Sequence, residues 1–232
     1  MIDWHSHILP GMDDGSRSIE ESLAMLDALR EQGVDHVIAT PHFYANDEAV
    51  DAFLERRAQS QELLREACCE KSLRILCGAE VRYYPGIARM KELERLRIQS
   101  TKLLLLEMPM AKWTEYTVRE LIELAGSGEV TVVMAHMERY MPLQNRGVWE
   151  KLCDHGLLIQ VNASFFGGLG NRHKAWKLLD AGRIHMIGSD CHNMTTRPPR
   201  IGDAYERIRR KFGDSYVSQM NEFGYGLLEQ TV

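Results

Sequence analysis

The chain has 232 residues, of which 44% are hydrophobic and 26% are charged, and its formal net charge is −5. This length is typical of one α/β barrel. The negative balance argues against general nucleic-acid or membrane binding, which would favour a basic face. The N-terminal residues lack the basic start and apolar run of a signal peptide, and no apolar stretch approaches the roughly 20 residues of a membrane span. We therefore expect a cytoplasmic protein without membrane insertion.

The cysteines are odd in number and irregular in spacing, and they contain no CxxC pair; they are Cys68, Cys69, Cys77, Cys153 and Cys191. Disulfide frameworks and zinc sites use regular, paired spacings. The pattern therefore indicates reduced thiols.

Strand and helix patterns alternate along the whole chain. Short apolar runs predict seven strands, at 1–5, 35–41, 74–80, 102–107, 131–136, 157–162 and 184–190. Amphipathic patterns predict helices at 18–33, 47–70, 86–97, 114–126, 146–155, 172–181 and 202–212, the first opened by a capping box of Ser18 and Glu21. Residues 103–106 are all leucine, which suits a strand buried on both faces. Without a composition shift or low-complexity linker, this alternation predicts a single domain, 1–232, with a parallel sheet.

Potential metal ligands recur at the ends of the predicted strands: His5, His7, His42, Glu80, Glu107, His136, Asp190 and His192. Barrel enzymes build their active sites at the C-terminal ends of their strands, and these residue types hold metals. An open sheet would separate its outer strands too far, at about 4.8 Å per strand, so a barrel is favoured. The pairs in His5-Ser6-His7 and Asp190-Cys191-His192 each share a face, because side chains alternate along a strand.

The two glutamates make the argument stronger, since a carboxylate after an apolar strand is costly to bury unless it is paired or bound to metal. Other candidates have plainer interpretations. His42 alone fits a structural or solvated histidine, and Asp13-Asp14-Gly15 fits a turn that leads into a helix.

Several motifs together resemble the PHP (polymerase and histidinol phosphatase) superfamily, and within it the bacterial manganese-dependent protein-tyrosine phosphatases of capsule and exopolysaccharide operons. They are His5-Ser6-His7, Pro10-Gly11-Met12-Asp13-Asp14-Gly15, Thr40-Pro41-His42, Gly78-Ala79-Glu80, His136-Met137-Glu138-Arg139-Tyr140 and Ser189-Asp190-Cys191-His192-Asn193. The resemblance implies a PHP fold, a distorted seven-stranded (β/α)7 TIM-like barrel. It also implies three divalent metal ions, manganese in the first place, with iron or zinc as alternatives.

The resemblance implies a role for each matching residue. The first metal would be held by His5, His7, Glu80 and Asp190. Glu80 would bridge to a second metal, which Glu107 and His136 complete. The third would be held by Asp14, His42 and His192, with Asp13 as a competitor for Asp14. Arg139 and Arg197 match the phosphate-binding arginines of the family and suit bidentate contacts to oxyanions; surface charge is the alternative.

The implied activity is that of a phosphoric monoester hydrolase acting on phosphotyrosine, by attack of a hydroxide that the metals generate. The implied partner is the phosphotyrosine-bearing tail of a bacterial tyrosine kinase that controls capsule or exopolysaccharide synthesis. One alternative is a phosphatase of a small phosphomonoester such as histidinol phosphate. A non-catalytic module is disfavoured, because no expected ligand has been lost.

Two further features leave alternatives open. Cys191 and Arg197 satisfy the Cys-x5-Arg spacing of thiol-based tyrosine phosphatases, but the intervening residues contain no glycine and two prolines follow, so we interpret the spacing as coincidence. Tyr44, Phe165 and Phe166 lie in predicted loops at the catalytic end. They are candidates to flank a substrate ring, and packing onto the barrel is the alternative.

Overall fold

The computed structural model describes residues 1–68 and 73–229. The nine strands in this part of the chain are β1 (Ile2–Ser6), β2 (His36–Ala39), β3 (His42–Phe43), β4 (Arg74–Cys77), β5 (Glu80–Arg82), β6 (Leu103–Glu107), β7 (Thr131–Met134), β8 (Leu158–Asn162) and β9 (Met186–Gly188). The α-helices are α1 (Ile19–Glu31), α2 (Val50–Ala67), α3 (Glu115–Gly126), α4 (Arg146–Asp154), α5 (Leu169–Asp180), α6 (Gly202–Phe212) and α7 (Asp214–Glu229). Cys69 and the end of the helix predicted at 47–70 lie outside the described residues.

All strand pairs are parallel, as the alternating pattern predicts. One sheet has the order β1-β2-β4 and the other the order β3-β5-β6-β7-β8-β9. The predicted count of seven strands is not reproduced, because the sheet is interrupted at Thr40–Pro41 and at Gly78–Ala79, and the short strands β3 and β5 follow these breaks. Pro41 has no N–H for a ladder at the first break. At the second, a Cβ on Gly78 would lie 2.9 Å from Ile98 Cγ1, so the backbone passes too close for a side chain.

Hydrogen bonds bring the two ends of this curled parallel sheet together. The backbone N–H of Asp190 donates to His5 O at 2.8 Å, and that of His7 donates to Cys191 O at 2.9 Å. Ser6 and Cys191 form an isolated parallel bridge. The segment after β9 therefore lies beside the end of β1, and side chains from both ends of the chain reach the same place.

The helices differ from the prediction at two places. The region predicted at 86–97 forms two short 3₁₀ turns, Ile87–Arg89 and Leu93–Leu96, separated by extended backbone at Met90. The last helix, α7, has no counterpart in the prediction. At α1, Ser18 Oγ accepts from Glu21 N at 3.2 Å, which confirms the side-chain cap.

The sheet is buried on both faces. Leu104 and Leu106 belong to a large apolar cluster, whereas Leu103 and Leu105 belong to a smaller one on the opposite face. The end of α7 packs against the smaller cluster. Within the described residues, no helix combines the length and apolar character needed to cross a membrane.

Candidate metal centre

The predicted ligands converge although they come from distant parts of the chain. His5 lies in β1, Glu107 closes β6, and His136 and Asp190 follow β7 and β9. Two positions correct the sequence prediction: His42 and Glu80 begin the short strands β3 and β5 instead of ending the strands before them. They reach the same region because His42 pairs with Glu80, and Glu80 pairs with Leu105 near the end of β6.

Glu80 lies at the middle of the cluster and is 1% exposed. Its Oε2 is 3.1 Å from His5 Nε2, 3.3 Å from His7 Nε2 and 3.1 Å from His42 Nδ1. Its Oε1 is 2.8 Å from His136 Nε2. One buried carboxylate therefore contacts four imidazoles, with its two oxygens facing different groups.

The side-chain nitrogen and oxygen atoms that could bind a metal, called donor atoms here, form three overlapping groups in the part of the chain that the structure describes. Within each, all the donor atoms lie within 4.8 Å of one another; the groups are His5, His7 and Asp190; His7, Asp14, His42 and His192; and His42, Glu80 and Glu107. The ligands predicted for the three metals therefore lie together, but they are not divided as predicted, because His7 and His42 each belong to two groups. His136 Nε2 is 4.0 Å from Glu107 Oε1.

The imidazole nitrogens and carboxylate oxygens of the cluster are suitable ligands for divalent cations. Nδ1 of His42 and Nε2 of His192 are buried and make no well-aligned hydrogen bond within the described residues, although carboxylate oxygens of Glu80 and Asp14 lie 3.1 and 3.4 Å away. Burial, with nearby His7 and Arg197, lowers the pKa of His192 to about 4, so this imidazole is neutral and has a lone pair to offer. Buried unpartnered nitrogens are costly unless something binds them. Imidazole and carboxylate donors together suit manganese, iron and zinc.

Asp13 and Asp14 have different surroundings. The Asp13 carboxylate lies 2.7 Å from His7 Nδ1 and accepts from His42 N at 2.8 Å and Gly15 N at 2.9 Å. Asp14 has a side chain that is 67% exposed, and its Oδ1 lies 3.6 Å from His42 Nε2 and 3.4 Å from His192 Nε2. Asp13 thus orients His7 through Nδ1, the ring nitrogen that does not face Glu80, whereas Asp14 faces the other candidate ligands directly.

Charge coupling shifts the pKa values in the cluster. Burial lowers the pKa of His7, but hydrogen bonds to Asp13 and Glu80 outweigh it and raise this pKa to about 10. Burial raises the pKa of Glu80, but the neighbouring His5, His136 and His7 bring it well below its ordinary value. The Glu80 carboxylate is therefore ionised and accepts charge-assisted hydrogen bonds, whereas burial and the nearby Glu80 raise the pKa of Glu107.

Other polar side chains orient the donors, and the sequence analysis missed them. Tyr140 Oη lies 3.0 Å from His136 Nδ1 and accepts from Met108 N at 3.1 Å. Gln160 Oε1 accepts from His136 N at 2.6 Å and lies 3.4 Å from His5 Nδ1. Asn162 Nδ2 donates to Asp190 Oδ2 at 2.7 Å. Gln160 and Asn162 end β8 with the same i, i+2 spacing as the histidines of β1, which is the signal that could have revealed them.

Arg139 and Arg197 both contact Asp190. Their Nη2 atoms lie 2.5 and 2.8 Å from its Oδ2, while its Oδ1 lies 3.6 Å from both His5 Nε2 and His7 Nε2. Each arginine side chain is 38% exposed. They line a cavity of about 380 Å³ with Asn162. Two open guanidinium groups therefore border the candidate metal centre.

The candidate aromatic residues differ in position. Tyr44 stacks on His42, with ring centroids 5.4 Å apart, and Arg82 lies over its ring. Phe165 and Phe166 are 5% and 0% exposed, and Phe166 packs 5.5 Å from Trp176. Loop packing, the alternative in the sequence analysis, is the interpretation that this geometry supports for the two phenylalanines.

The loop after Cys191 does not have the form of a thiol phosphatase site. Cys191 is fully buried, and burial raises the pKa of its thiol. Asn193 Oδ1 accepts the backbone N–H groups of Thr195, Thr196 and Arg197. These are the groups that would have to face a phosphate in that mechanism. The Cys-x5-Arg spacing is therefore coincidental.

Two candidate ligands have left-handed backbones. The φ angles are 32° at His136 and 53° at Asp190; the third such non-glycine residue in the described part of the chain is Ser100. Left-handed non-glycine residues are uncommon and concentrate at functional sites.

A curled parallel α/β sheet with histidines and carboxylates clustered at its strand ends defines a candidate metal-dependent barrel enzyme. A family model described as capsular polysaccharide synthesis, CpsB/CapC, matches residues 1–222. The chain belongs to the CpsB/CapC family, which confirms the resemblance found in the sequence.

Relatives match along nearly their full length. The tyrosine-protein phosphatase YwqE of Bacillus subtilis (strain 168) is 31% identical over 232 residues, covering 96% of this chain and 89% of the relative. The tyrosine-protein phosphatase CpsB of Streptococcus pneumoniae is 31% identical over 235 residues, covering 95% and 94%.

Solved structures of similar proteins share this fold. One from a study of YwqE of Bacillus subtilis and CpsB of Streptococcus pneumoniae, described as unique metal-dependent tyrosine phosphatases, superposes with a TM-score of 0.85 at 28% identity and covers 100% of this chain and 96% of that one. A candidate histidinol phosphatase of Listeria monocytogenes superposes with a TM-score of 0.53 at 12% identity, covering 91% and 100%, and shows the fold alone.

Proposed function

We propose that this protein is a metal-dependent protein-tyrosine phosphatase that hydrolyses phosphotyrosine. The observation that carries the proposal is the contact of the buried Glu80 carboxylate with four histidines, beside an open pair of arginines. The relatives named as tyrosine phosphatases supply the reaction class. The buried thiol of Cys191 leaves the histidine and carboxylate cluster as the source of chemistry.

Three divalent ions fit the donor set, with manganese first and iron or zinc as alternatives. His5, His7, Glu80 and Asp190 would hold one, Glu80, Glu107 and His136 a second, and Asp14, His42 and His192 a third. Ions bound there would polarise the phosphoryl oxygens and lower the pKa of a water near phosphorus. The side chains of Asp13, Tyr140 and Gln160 keep the imidazole rings in position for this.

Arg139 and Arg197 have a separate task, which is to hold the phosphate. Each guanidinium carries five N–H donors, and the contact with Asp190 leaves others directed to the cavity. Planar, bidentate contacts to phosphate oxygens would orient the phosphoryl group and neutralise charge that develops on it. Tyr44 stacks on His42, and we infer that its ring contacts the phenyl group of the substrate.

The substrate, location and domain organisation follow from the family. We infer that the phosphotyrosine belongs to the tail of a bacterial tyrosine kinase that controls capsule or exopolysaccharide synthesis, and that the protein acts in the cytoplasm as one domain, 1–232. Counting β2 with β3 and β4 with β5 as single positions gives a distorted seven-stranded barrel. The hydrogen bonds between the end of β1 and Cys191 support closure of that barrel.

The test is activity resolved by metal. The protein is stripped with a chelator, restored with manganese, iron or zinc one at a time, and assayed on a phosphotyrosyl peptide and on histidinol phosphate. We expect no activity after stripping, recovery with at least one ion, and a higher kcat/KM for the peptide. A preference for histidinol phosphate would instead favour a small-molecule phosphatase.

Cys191→Ser is the control for the rival mechanism. We expect this variant to keep most of its activity, and the parent to survive thiol alkylation, because the Cys191 thiol is buried and takes no part. Loss of activity in Cys191→Ser with metal content intact would favour the thiol mechanism.

A further inference from the structure

The cavity beside Asp190 extends past the two arginines already described. It is also lined by Arg200, in the loop before α6, and by Arg207, one turn into α6, together with Ser164 and Thr196. Four arginines and two aspartates, Asp190 and Asp203, give this lining a net charge of +2. The chain as a whole carries −5, so the cavity is a local site of positive potential on an acidic protein.

Arg200 and Arg207 differ from the arginines around them. Arg139 and Arg197 are paired with Asp190, and Arg209 and Arg210, farther along α6, are paired with Glu206. Within residues 1–68 and 73–229, no carboxylate lies within 4.0 Å of a guanidinium nitrogen of Arg200 or Arg207. Both therefore keep their donors for a group that enters the cavity.

The position of the two arginines indicates what that group is. A phosphotyrosine held by Arg139 and Arg197 would bring its neighbouring peptide residues to the same cavity. Guanidinium groups select carboxylates and phosphates, which they bind through two parallel hydrogen bonds. A neutral peptide flank would leave them solvated and gain nothing.

We propose that Arg200 and Arg207 form an anion subsite that recognises an acidic group, either a carboxylate or a second phosphate, in the peptide that flanks the phosphotyrosine. This rests on the proposed tyrosine-phosphatase function and adds substrate selection to it. Asp203, the carboxylate on the same rim, limits the preference because it repels the same group.

The experiment compares three phosphotyrosyl peptides of equal length on the metal-loaded enzyme. One has neutral flanks, one has glutamates within three residues of the phosphotyrosine, and one has a second phosphotyrosine there. For the parent, we expect kcat/KM for at least one anionic peptide to exceed that for the neutral peptide on the order of tenfold, mainly through KM. This ratio should fall at high ionic strength, because the subsite is open to solvent. The peptide that shows the higher ratio identifies the source of the anion.

The variants are Arg200→Gln, Arg207→Gln and their combination, with Arg210→Gln as the matched control on the same helix. We expect the ratio to drop several-fold in each single variant and to about 1–2 in the double variant. It should stay unchanged in Arg210→Gln and rise in Asp203→Asn. Circular dichroism and melting temperature confirm that each variant is folded.

A ratio that is unchanged in the folded double variant overturns the subsite, and so does an equal drop in Arg210→Gln, which would show an effect of overall charge. A parent that hydrolyses the neutral phosphotyrosyl peptide but shows no preference also refutes it, while leaving the phosphatase function intact. A parent that hydrolyses none of the peptides refutes the proposed function itself.

Discussion

The Glu80 carboxylate contacts four of the candidate histidine ligands, so we first test the effect of removing its negative charge. Glu80→Gln keeps the size of the side chain and removes the negative charge that lies among four histidines. We expect at least one bound metal ion per chain to be lost and activity on aryl phosphates to fall by ~100-fold or more, because the remaining ligands repel one another and the ions. Elemental analysis and steady-state kinetics measure both effects.

Glu62→Gln is the matched control for that change, since Glu62 lies on the exposed face of α2 and pairs only with Arg65 in the described contacts. It should leave metal content and activity at parental values. Full metal occupancy in Glu80→Gln would show that the bridging role is wrong.

Arg139 and Arg197 give a second prediction. Arg139→Ala and Arg197→Ala should keep metal content and melting temperature close to those of the parent, because neither residue is a candidate ligand. Each should lose catalytic efficiency by about 10- to 1000-fold, the effect of one lost oxyanion contact. Arg→Lys should restore part of the loss, because an ammonium cannot make the planar two-pronged contact.

Small aryl phosphates separate this role from docking. The loss should appear with them as well as with peptides, since the contact is to phosphate. Variants that are impaired only on protein substrates would make these arginines docking residues.

Side-chain chemistry at the site could be predicted better than side-chain orientation. The residue types and their strand-end positions pointed to His5, Glu80 and Asp190 as members of one cluster. The choice between Asp13 and Asp14 could not be made, because adjacent residues in a turn differ only in where the backbone aims them. Burial of Phe166 depends on how Trp176 of α5 folds back on it, an orientation that the predicted helix at 172–181 does not specify.

At the scale of elements, periodicity placed most strands and helices but missed their interruptions. Predicted strands 35–41 and 74–80 were extended through Thr40-Pro41 and Gly78-Ala79, where the structure interrupts the sheet and begins β3 and β5. The helix α7 was missed because it contains Gly224 and Gly226, which weaken a helical pattern. Its apolar face gains stability from packing on β1, a contact between the two ends of the chain.

These two glycines of α7 allow a matched test. A Cβ on Gly226 would meet nothing within 4 Å, so Gly226→Ala should stabilise the protein by about 0.5–1 kcal/mol through helix propensity. A Cβ on Gly224 would lie 3.0 Å from Ile2 Cδ1 and 3.1 Å from Trp4 Cζ2. Gly224→Val should therefore destabilise by about 1–3 kcal/mol, since the branched side chain has no room. Urea unfolding measures both, and a stabilised Gly224→Val would mean that α7 is not packed against β1.

For the whole molecule, the candidate ligands connect distant parts of the chain, from His5 to His192. An ion that binds the folded form and not the unfolded form stabilises the folded form by about 4 kcal/mol when the ion concentration is 1,000 times Kd. We therefore expect chelation to lower the melting temperature by roughly 10 °C and added manganese to restore it. The shift should shrink in Glu80→Gln. Identical melting curves with and without chelator would exclude a structural contribution of the metals.

The left-handed backbones of His136 and Asp190 have a consequence for evolution. At most backbone conformations alanine is more stabilising than glycine. At a positive φ glycine is the more stabilising of the two, because a Cβ crowds the following carbonyl. His136→Gly should thus be about 1 kcal/mol more stable than His136→Ala in urea unfolding with chelator present. Equal stability would show that the position is unstrained. We propose that both residues bind metal, and selection for that role would keep side chains at these two positions. Glycine at either one should then mark descendants that no longer catalyse the reaction.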